Sequence, residues 1–307
     1  MKKLILFVLL FVAAVTLTAY ATNNPGLGIV AGLVSSAIFT VFVEDFLDDF
    51  KTWLSIPIRT SKLSIFLYGR GGSGKTTFIN HILSLEDLRN KYHSSTEYAE
   101  YYRGLLSYSP NAGKRFNKKY SIPVHIADYK GQAPKQALGL SRNFKSQVNA
   151  ILFIVDIVHP DPKSDGNAMD DNALIEWLAS DTEEKINDRV IQHVAYVGDA
   201  ILSIIFSELL STNKNNLRSV RLVINKVDIV QKLMAKGYLS NASSSGLSAE
   251  DYVRKKFKPI EQYIREACSQ NGIADVYVET VSLTEGTRVR DLIQGLIKVH
   301  FQALRIS

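Results

Sequence analysis

The 307-residue chain carries one cysteine, Cys268, so neither an intramolecular disulfide framework nor a cysteine-built zinc site is possible. A reducing, cytosol-facing environment is permitted by that count. Internal repeats and long low-complexity stretches are absent; Asn241–Ser245 is only a short polar loop. Charge imbalance is small as well. Thirty-six Lys and Arg against thirty Asp and Glu leave +6, too little for a strongly basic nucleic-acid binder, and no direct nucleic-acid contact is expected. At 46% hydrophobic and 21% charged residues the composition is that of a globular protein, with room for one large domain or two modest ones.

The sharpest absence is local. No Asp, Glu, Lys or Arg occurs from Leu4 through Val43. A bilayer core of ~30 Å needs about 20 helical residues, so this run holds enough for two crossings. The turn-forming cluster Thr22-Asn23-Asn24-Pro25-Gly26 divides it into segments 4–21 and 27–43. Two readings of the first segment stand. It is one arm of a retained helical hairpin, or it is a cleaved signal peptide with Lys2 and Lys3 as its positive region and Ala19-Tyr20-Ala21 as its cleavage site. Both leave everything after Val43 on the cytosolic side. Gly28, Gly32 and Ser36 stand four apart, a small-residue face suited to helix–helix association in the bilayer. Residues 44–61 mix Asp48, Asp49 and Lys51 with Phe46, Leu47, Phe50, Trp53 and Leu54, as an interfacial connector would.

Beyond this anchor the pattern changes to alternation. Lys62–Tyr68, Asn149–Val155, Ser219–Ile224 and Val276–Val281 are short apolar runs separated by helical stretches, which predicts a parallel sheet covered on both faces. Tyr98–Ser109 and Lys119–Ala127 flank the turn Pro110-Asn111-Ala112-Gly113, which predicts an antiparallel hairpin at one sheet edge.

The strongest motif follows the first strand. Gly69-Arg70-Gly71-Gly72-Ser73-Gly74-Lys75-Thr76 satisfies G-x-x-x-x-G-K-[ST], with Thr77 continuing into the helix. Glycines let backbone N–H groups turn inward around phosphate oxygens; Lys75 would reach the β- and γ-phosphates and Thr76 would ligate Mg²⁺. Three later elements narrow the ligand. Asp128-Tyr129-Lys130-Gly131 is a D-x-x-G, in which Asp128 can hold Mg²⁺ through water and the Gly131 amide can sense a γ-phosphate. Asn225-Lys226-Val227-Asp228 is an N-K-x-D, whose carboxylate can accept N1–H and the exocyclic amine of guanine, a donor pair adenine does not present. Ser282-Leu283-Thr284 ends the last strand, where a backbone amide is placed to donate to guanine O6.

In the order and strand-end placement of these motifs, the chain from Lys62 onward resembles a GTPase of the Ras- and Arf-like P-loop superfamily. The resemblance implies an α/β fold, a doubly wound and mostly parallel sheet, holding GTP or GDP with Mg²⁺. It further implies that Lys226 stacks along the base, that Asn225 braces the loop around it, and that Gln132, directly after Gly131, orients the attacking water. Thr96 is best placed to close over Mg²⁺, with Ser94 and Ser95 as alternatives. Leu283 and Thr284 depart from the family's usual Ala-Lys. A helical anchor leading into such a domain also resembles signal-recognition-particle receptor beta subunits, which implies a docking role with negligible turnover as the alternative to a hydrolysing switch. A membrane-remodelling GTPase is disfavoured by the lack of long heptad helices.

The interval from Asp128 to Asp228 is long for that superfamily, with an insertion around 157–215. Asp161, Asp165 and Gly166 fit three positions of a calcium loop, but Lys163 and Asn172 occupy ligand positions wrongly, which leaves a solvated turn over Pro160–Asn172. A helical stretch from Thr182 to about Leu210 carries Ala200, Ile201, Ile204, Ile205, Leu209 and Leu210 as a core-facing stripe. His81 and His125 read as structural histidines. Arg70 reads as solvent-facing, no internal arginine finger is identifiable, and hydrolysis is therefore expected to be slow without an activating or effector protein.

Overall fold

The computed structural model describes Tyr20 and residues 62–84, 92–95, 99–108, 120–130, 139–159, 171–213, 216–239, 246–273, 276–283 and 286–304. The chain divides into two compact units, Met1–Pro57 and Ile58–Ser307. The apolar segments 4–21 (Tyr20 apart) and 27–43, the Gly28/Gly32/Ser36 face, the connector with Trp53 and the turn at Pro110–Gly113 lie outside the described residues, as do Thr96, Gly131 and Gln132. Among the described residues no single helix is long and apolar enough to cross a membrane. Thr182–Tyr196 and Ala200–Ser211, bent by 44°, meet that length and composition only as a pair.

The second unit is α/β. In chain order the elements are β1 (Leu63–Tyr68), α1 (Lys75–Ser84), β2 (Tyr92–Ser95), β3 (Ala99–Tyr108), β4 (Tyr120–Tyr129), α2 (Arg142–Lys145), β5 (Ala150–Asp156), α3 (Asp171–Ala179), α4 (Thr182–Tyr196), α5 (Asp199–Asn213), β6 (Ser219–Asn225), α6 (Val227–Ala235), α7 (Ala249–Lys256), α8 (Lys258–Gln270), β7 (Val276–Thr280) and α9 (Gly286–Leu304). They build one seven-stranded sheet in the order β2-β3-β4-β1-β5-β6-β7. The contacts β4·β1, β1·β5, β5·β6 and β6·β7 are parallel, while β3 runs antiparallel to both β2 and β4.

Burial on both faces explains the unbroken apolar strands. Every residue of β1, β5 and β6 is buried, as parallel strands between helix layers require. Their period of two divides them between two cores. Phe66, Tyr68, Ile151, Phe153, Val155, Val220, Leu222 and Ile224 join one cluster with α3 to α8. The alternate residues, such as Leu63, Ile65 and Leu67 in β1 and Leu152 in β5, are equally buried. On that side α1 packs on β4, α9 on β6, and the two helices on each other.

Two expectations are corrected here. The β3–β4 hairpin is not the sheet edge, because β2 pairs outside it and takes up Ser94 and Ser95, two of the alternatives for the Mg²⁺-closing residue. The inserted helical stretch is two helices: α4 ends at Val197, whose N–H donates to the His193 carbonyl, and the Gly198 carbonyl accepts from Ile201 and Leu202 to start α5. Ile201, Ile205 and Leu209 are buried in the core as their spacing predicts. Helix α3 takes in Asp171 and Asn172, read from the sequence as the end of the solvated turn, while residues 160–170 lie outside the described residues.

Candidate functional site

Strand direction and register bring five segments to one edge. β1 lies where the strand order reverses, since the chain first builds β4 on one side of it and then β5 on the other. The carboxyl edge beside such a point is where open α/β sheets leave a crevice. Leu67 pairs with Asp128, and Asp156 pairs with Asn225. Gly69 directly follows β1 and Ser282 lies two residues past β7, so the ends of β4, β1, β5, β6 and β7 converge.

The glycine loop is shaped by close approach and by backbone sign. A Cβ on Gly69 would collide with the Ile154 carbonyl oxygen and stand 2.9 Å from Ser73 Oγ. Gly74, at φ +103°, would drive one into the Asn225 amide and to 2.8 Å from Leu283 Cδ1. At Gly71 a Cβ would meet nothing within 4 Å among the described residues. Lys75 is folded back over the loop, donating to the Gly69 carbonyl at 2.8 Å and the Arg70 carbonyl at 3.4 Å. Burial lowers its pKa against the opposing pull of Asp128 and Asp156. Thr76 is exposed on the first turn of α1, with Thr77 half-buried behind it.

Asp128 is the penultimate residue of β4. Its buried Oδ1 has no hydrogen-bond partner among the described residues and stands 3.9 Å from Lys75 Nζ. Burial pushes its pKa up to about 6; Lys75 opposes that and Glu100 adds to it. An orphaned carboxylate oxygen at the end of β4 and an exposed hydroxyl on the first turn of α1 are oxygen donors of the kind Mg²⁺ takes, since it uses few protein oxygens and completes its shell with phosphate and water. Among the described residues no group of three His, Cys, Asp or Glu is placed to hold a metal by itself. Ser73 Oγ is likewise buried without a hydrogen-bond partner among the described residues.

Asn225 is the junction of the site. Its Nδ2 donates to the Ser73 carbonyl at 3.0 Å, and its Oδ1 accepts from the Lys226 N–H at 2.8 Å and the Leu283 N–H at 2.9 Å. One side chain thus joins the glycine loop, the N-K-x-D turn and the segment after β7. Within Ser282-Leu283-Thr284 the Leu283 amide is thus engaged by Asn225, and Thr284 lies outside the described residues. Lys226 sits at φ +66° and caps α6. Its ammonium is also already engaged, donating to Asp156 Oδ2 at 2.8 Å and the Val158 carbonyl at 2.9 Å. Asp228 is half-buried in the first turn of α6.

Asp156 leads to residues that motif reading missed. This wholly buried carboxylate also accepts from Arg189 Nε and Nη2 at 3.0 and 2.5 Å, and His193 Nε2 stands 2.7 Å from the same oxygen. Burial alone would raise its pKa, but the His193 hydrogen bond, Lys226 and Arg189 outweigh that and hold it well below the usual carboxylate range. Burial keeps His193 below the ordinary imidazole range despite Asp156. Arg189 Nη2 reaches the Gly71 carbonyl at 3.4 Å, and Gln192 Oε1 accepts from Arg189 at 3.3 Å and from Arg70 at 2.6 Å. Arg70 is therefore tied to α4 rather than pointing free into solvent. Tyr196 stacks on Tyr68 with ring centroids 5.0 Å apart, and Tyr68 Oη donates to the Tyr196 carbonyl. Residues 189, 192, 193 and 196 follow i, i+3, i+4, i+7, so one stripe of the inserted helix faces the glycine loop.

The structure brings together Gly69 to Thr77, Asp128, Asn225, Lys226, Asp228, Ser282 and Leu283 at one sheet edge; Thr96, Gly131 and Gln132 lie outside the described residues. His125 is buried in β4, as a structural histidine is. Neither a protein-family model nor a curated protein matches the chain, so the meaning of the site rests on its residues and their geometry.

Proposed function

We propose that the chain is a membrane-anchored GTP-binding protein whose cytosol-facing domain binds Mg·GTP, hydrolyses it to GDP and phosphate, and changes its affinity for a protein partner with the nucleotide. The observation that carries this reading is Asn225, which joins the phosphate-type glycine loop to the N-K-x-D turn and the last strand end within one hydrogen-bonded unit. A glycine-rich turn alone would fit any phosphate. Joined to a turn bearing Asp228, it fits a phosphate ester of a base with two adjacent N–H donors, which guanine has and adenine lacks.

In this reading the loop amides and Lys75 hold the phosphate chain, with Lys75 exchanging its two carbonyl bonds for phosphate oxygens. Thr76 and Asp128 would hold Mg²⁺, and the ion would supply positive charge to offset that of the phosphates. Asp228 selects the base, and Asn225 keeps that selection in register with the phosphates. Gln132 remains the residue assigned to orient water. The apolar run 4–43 supplies the membrane tether, with Gly28, Gly32 and Ser36 available for helix association.

Equilibrium titration with GTP, GDP and ATP tests the reading directly. Guanine nucleotides should bind and ATP should not. Asp228→Asn removes a charged acceptor worth about 1.5–3 kcal/mol, so GTP should bind at least about tenfold more weakly and xanthosine triphosphate more tightly. Unchanged GTP affinity in that variant would remove the base assignment. Single-turnover hydrolysis then separates the switch from a docking subunit: tight GTP binding with negligible turnover, identical in Gln132→Ala, selects the latter.

A further inference from the structure

We propose that Arg189, carried on the inserted helix α4, is a built-in arginine that contacts the terminal phosphates of the nucleotide in the glycine loop and stabilises the charge that develops during transfer. The proposal rests on the nucleotide reading above and adds a catalytic group that the motifs do not contain.

The geometry distinguishes this arginine from an ordinary core ion pair. Asp156 already has the Lys226 ammonium on Oδ2 at 2.8 Å, which balances its charge, while the His193 ring stands 2.7 Å from Oδ1. With His193 neutral, one carboxylate faces two cations, and Arg70 is bridged in through Gln192. Arg189 itself is only 2% exposed. Asp156 and Arg189 are buried and Lys226 is 22% exposed, so the group carries one positive charge in excess at the edge of the core, which an anion would complete. The surplus lies against the glycine loop, where a polyphosphate would supply that anion.

The hydrogen bonds of Arg189 have a direction. The two to Asp156 are short, whereas those on the loop side, to the Gly71 carbonyl and Gln192 Oε1, measure 3.4 and 3.3 Å. Four of its five N–H groups are used, and the fifth is on Nη1. The guanidinium is therefore held firmly at its Asp156 side and loosely at the loop, where phosphate oxygens offer stronger acceptors than a carbonyl. Tyr196 on Tyr68 and Gln192 on Arg70 fix the helix that delivers it.

The chemistry balances without a further reactant. The water oxygen forms a bond to the γ-phosphorus while the bond from that phosphorus to the β–γ bridging oxygen breaks. The electron pair of that bond leaves on GDP, and the proton lost by water goes to the released phosphate. Arg189 keeps its own protons and neutralises charge on the oxygens in transit, the role that arginines supplied in cis or in trans play in phosphoryl transfer.

The test uses the full chain in detergent, with Arg189→Ala and Arg189→Lys. Three quantities are measured: affinity for Mg·GDP, capture of aluminium fluoride by the GDP-bound chain, and the single-turnover rate with GTP. The wild type should capture aluminium fluoride on GDP without a partner protein. Both variants should lose capture and slow hydrolysis by at least about tenfold, while GDP affinity stays within about threefold. If Arg189→Ala fails to fold, Arg189→Lys carries the test, since it keeps the cation for Asp156 but not the planar fork. Unchanged capture and rate in the variants, a wild type that captures no fluoride, or equal losses of GDP affinity and rate would each overturn the assignment. A chain that binds GDP yet is indifferent to Arg189 overturns this inference alone; a chain that binds no guanine nucleotide overturns the nucleotide reading as well.

Discussion

Gly71 and Gly74 stand three residues apart in one loop and answer to different constraints. Gly74 combines a left-handed backbone with contact against Asn225 and Leu283, so a methyl group there strains the chain and pushes on the residue that joins three segments. Gly71 has neither constraint on its Cβ side. Gly74→Ala should therefore lose about 2 kcal/mol or more of stability together with nucleotide binding, whereas Gly71→Ala should fold with stability changed by less than about 0.5 kcal/mol. Urea titration of the two variants decides it; equal losses would mean that the loop is not held by Asn225. His125 gives a pH test at the same scale. Its ring is packed edge-on against Phe144, Arg103 Nε approaches its Nε2, and burial with Lys62 and Arg103 nearby lowers its pKa to about 4. The fold keeps it neutral while the unfolded chain takes up a proton below about pH 6.5. Its contribution to stability is present above that pH and is lost as pH falls toward 4, by about 3 kcal/mol. His125→Phe should flatten that part of the stability profile relative to wild type; an unchanged slope between about pH 6.5 and 4 would contradict it.

At the scale of elements, the difference between what was legible and what was not lies in where the partner sits. The glycine loop, Asp128 and the Asn225 turn are legible because backbone geometry and the phosphate and base chemistry proposed for them call for those residue types within a few positions. Strands β1, β5 and β6 are legible because burial on both faces demands unbroken apolar runs. The α4 stripe gave no such signal. Arg189, Gln192 and His193 alternate with Asp188 and Ile191 on a charged helix, and such a pattern ordinarily means a solvated face. What reverses that meaning is Asp156, thirty-three positions before Arg189, and no local pattern in the chain reports the pairing. Strand β2, Tyr-His-Ser-Ser, was missed for a related reason: an edge strand is held through backbone bonds and needs no apolar alternation. The single helical stretch from Thr182 became two because Gly198 offers a cheap place to turn, and only packing decides that the turn is made. The assignment of Lys226 to a base face also reads differently in place, since Asp156 holds its ammonium and sets the position from which its methylene stem could meet a ring.

At the scale of the whole molecule, the two sheet faces and the converging strand ends would make the proposed nucleotide binding and global stability parts of one equilibrium. A ligand that needs β1, β4, β6 and α1 together binds the folded chain and not the unfolded one, so it stabilises the fold by mass action. Cys268 reports that equilibrium. It is the chain's sole cysteine, faces the core from α8 and is wholly buried, and burial pushes its thiol up to about 12 although Arg265 opposes the shift. Alkylation therefore requires opening of the core that α8 shares with α5 and the strands. Mg·GDP at about a hundred times its dissociation constant should add about 2.7 kcal/mol and slow Cys268 labelling roughly a hundredfold, while ATP at the same concentration should leave the rate unchanged. Labelling that proceeds equally fast with and without guanine nucleotide would mean either that α8 opens by itself or that the strand ends do not act as one binding unit. Asn225→Ala separates these: if it accelerates labelling in the absence of nucleotide, the thiol is reading the shared core, and the indifference to GDP then counts against the nucleotide site.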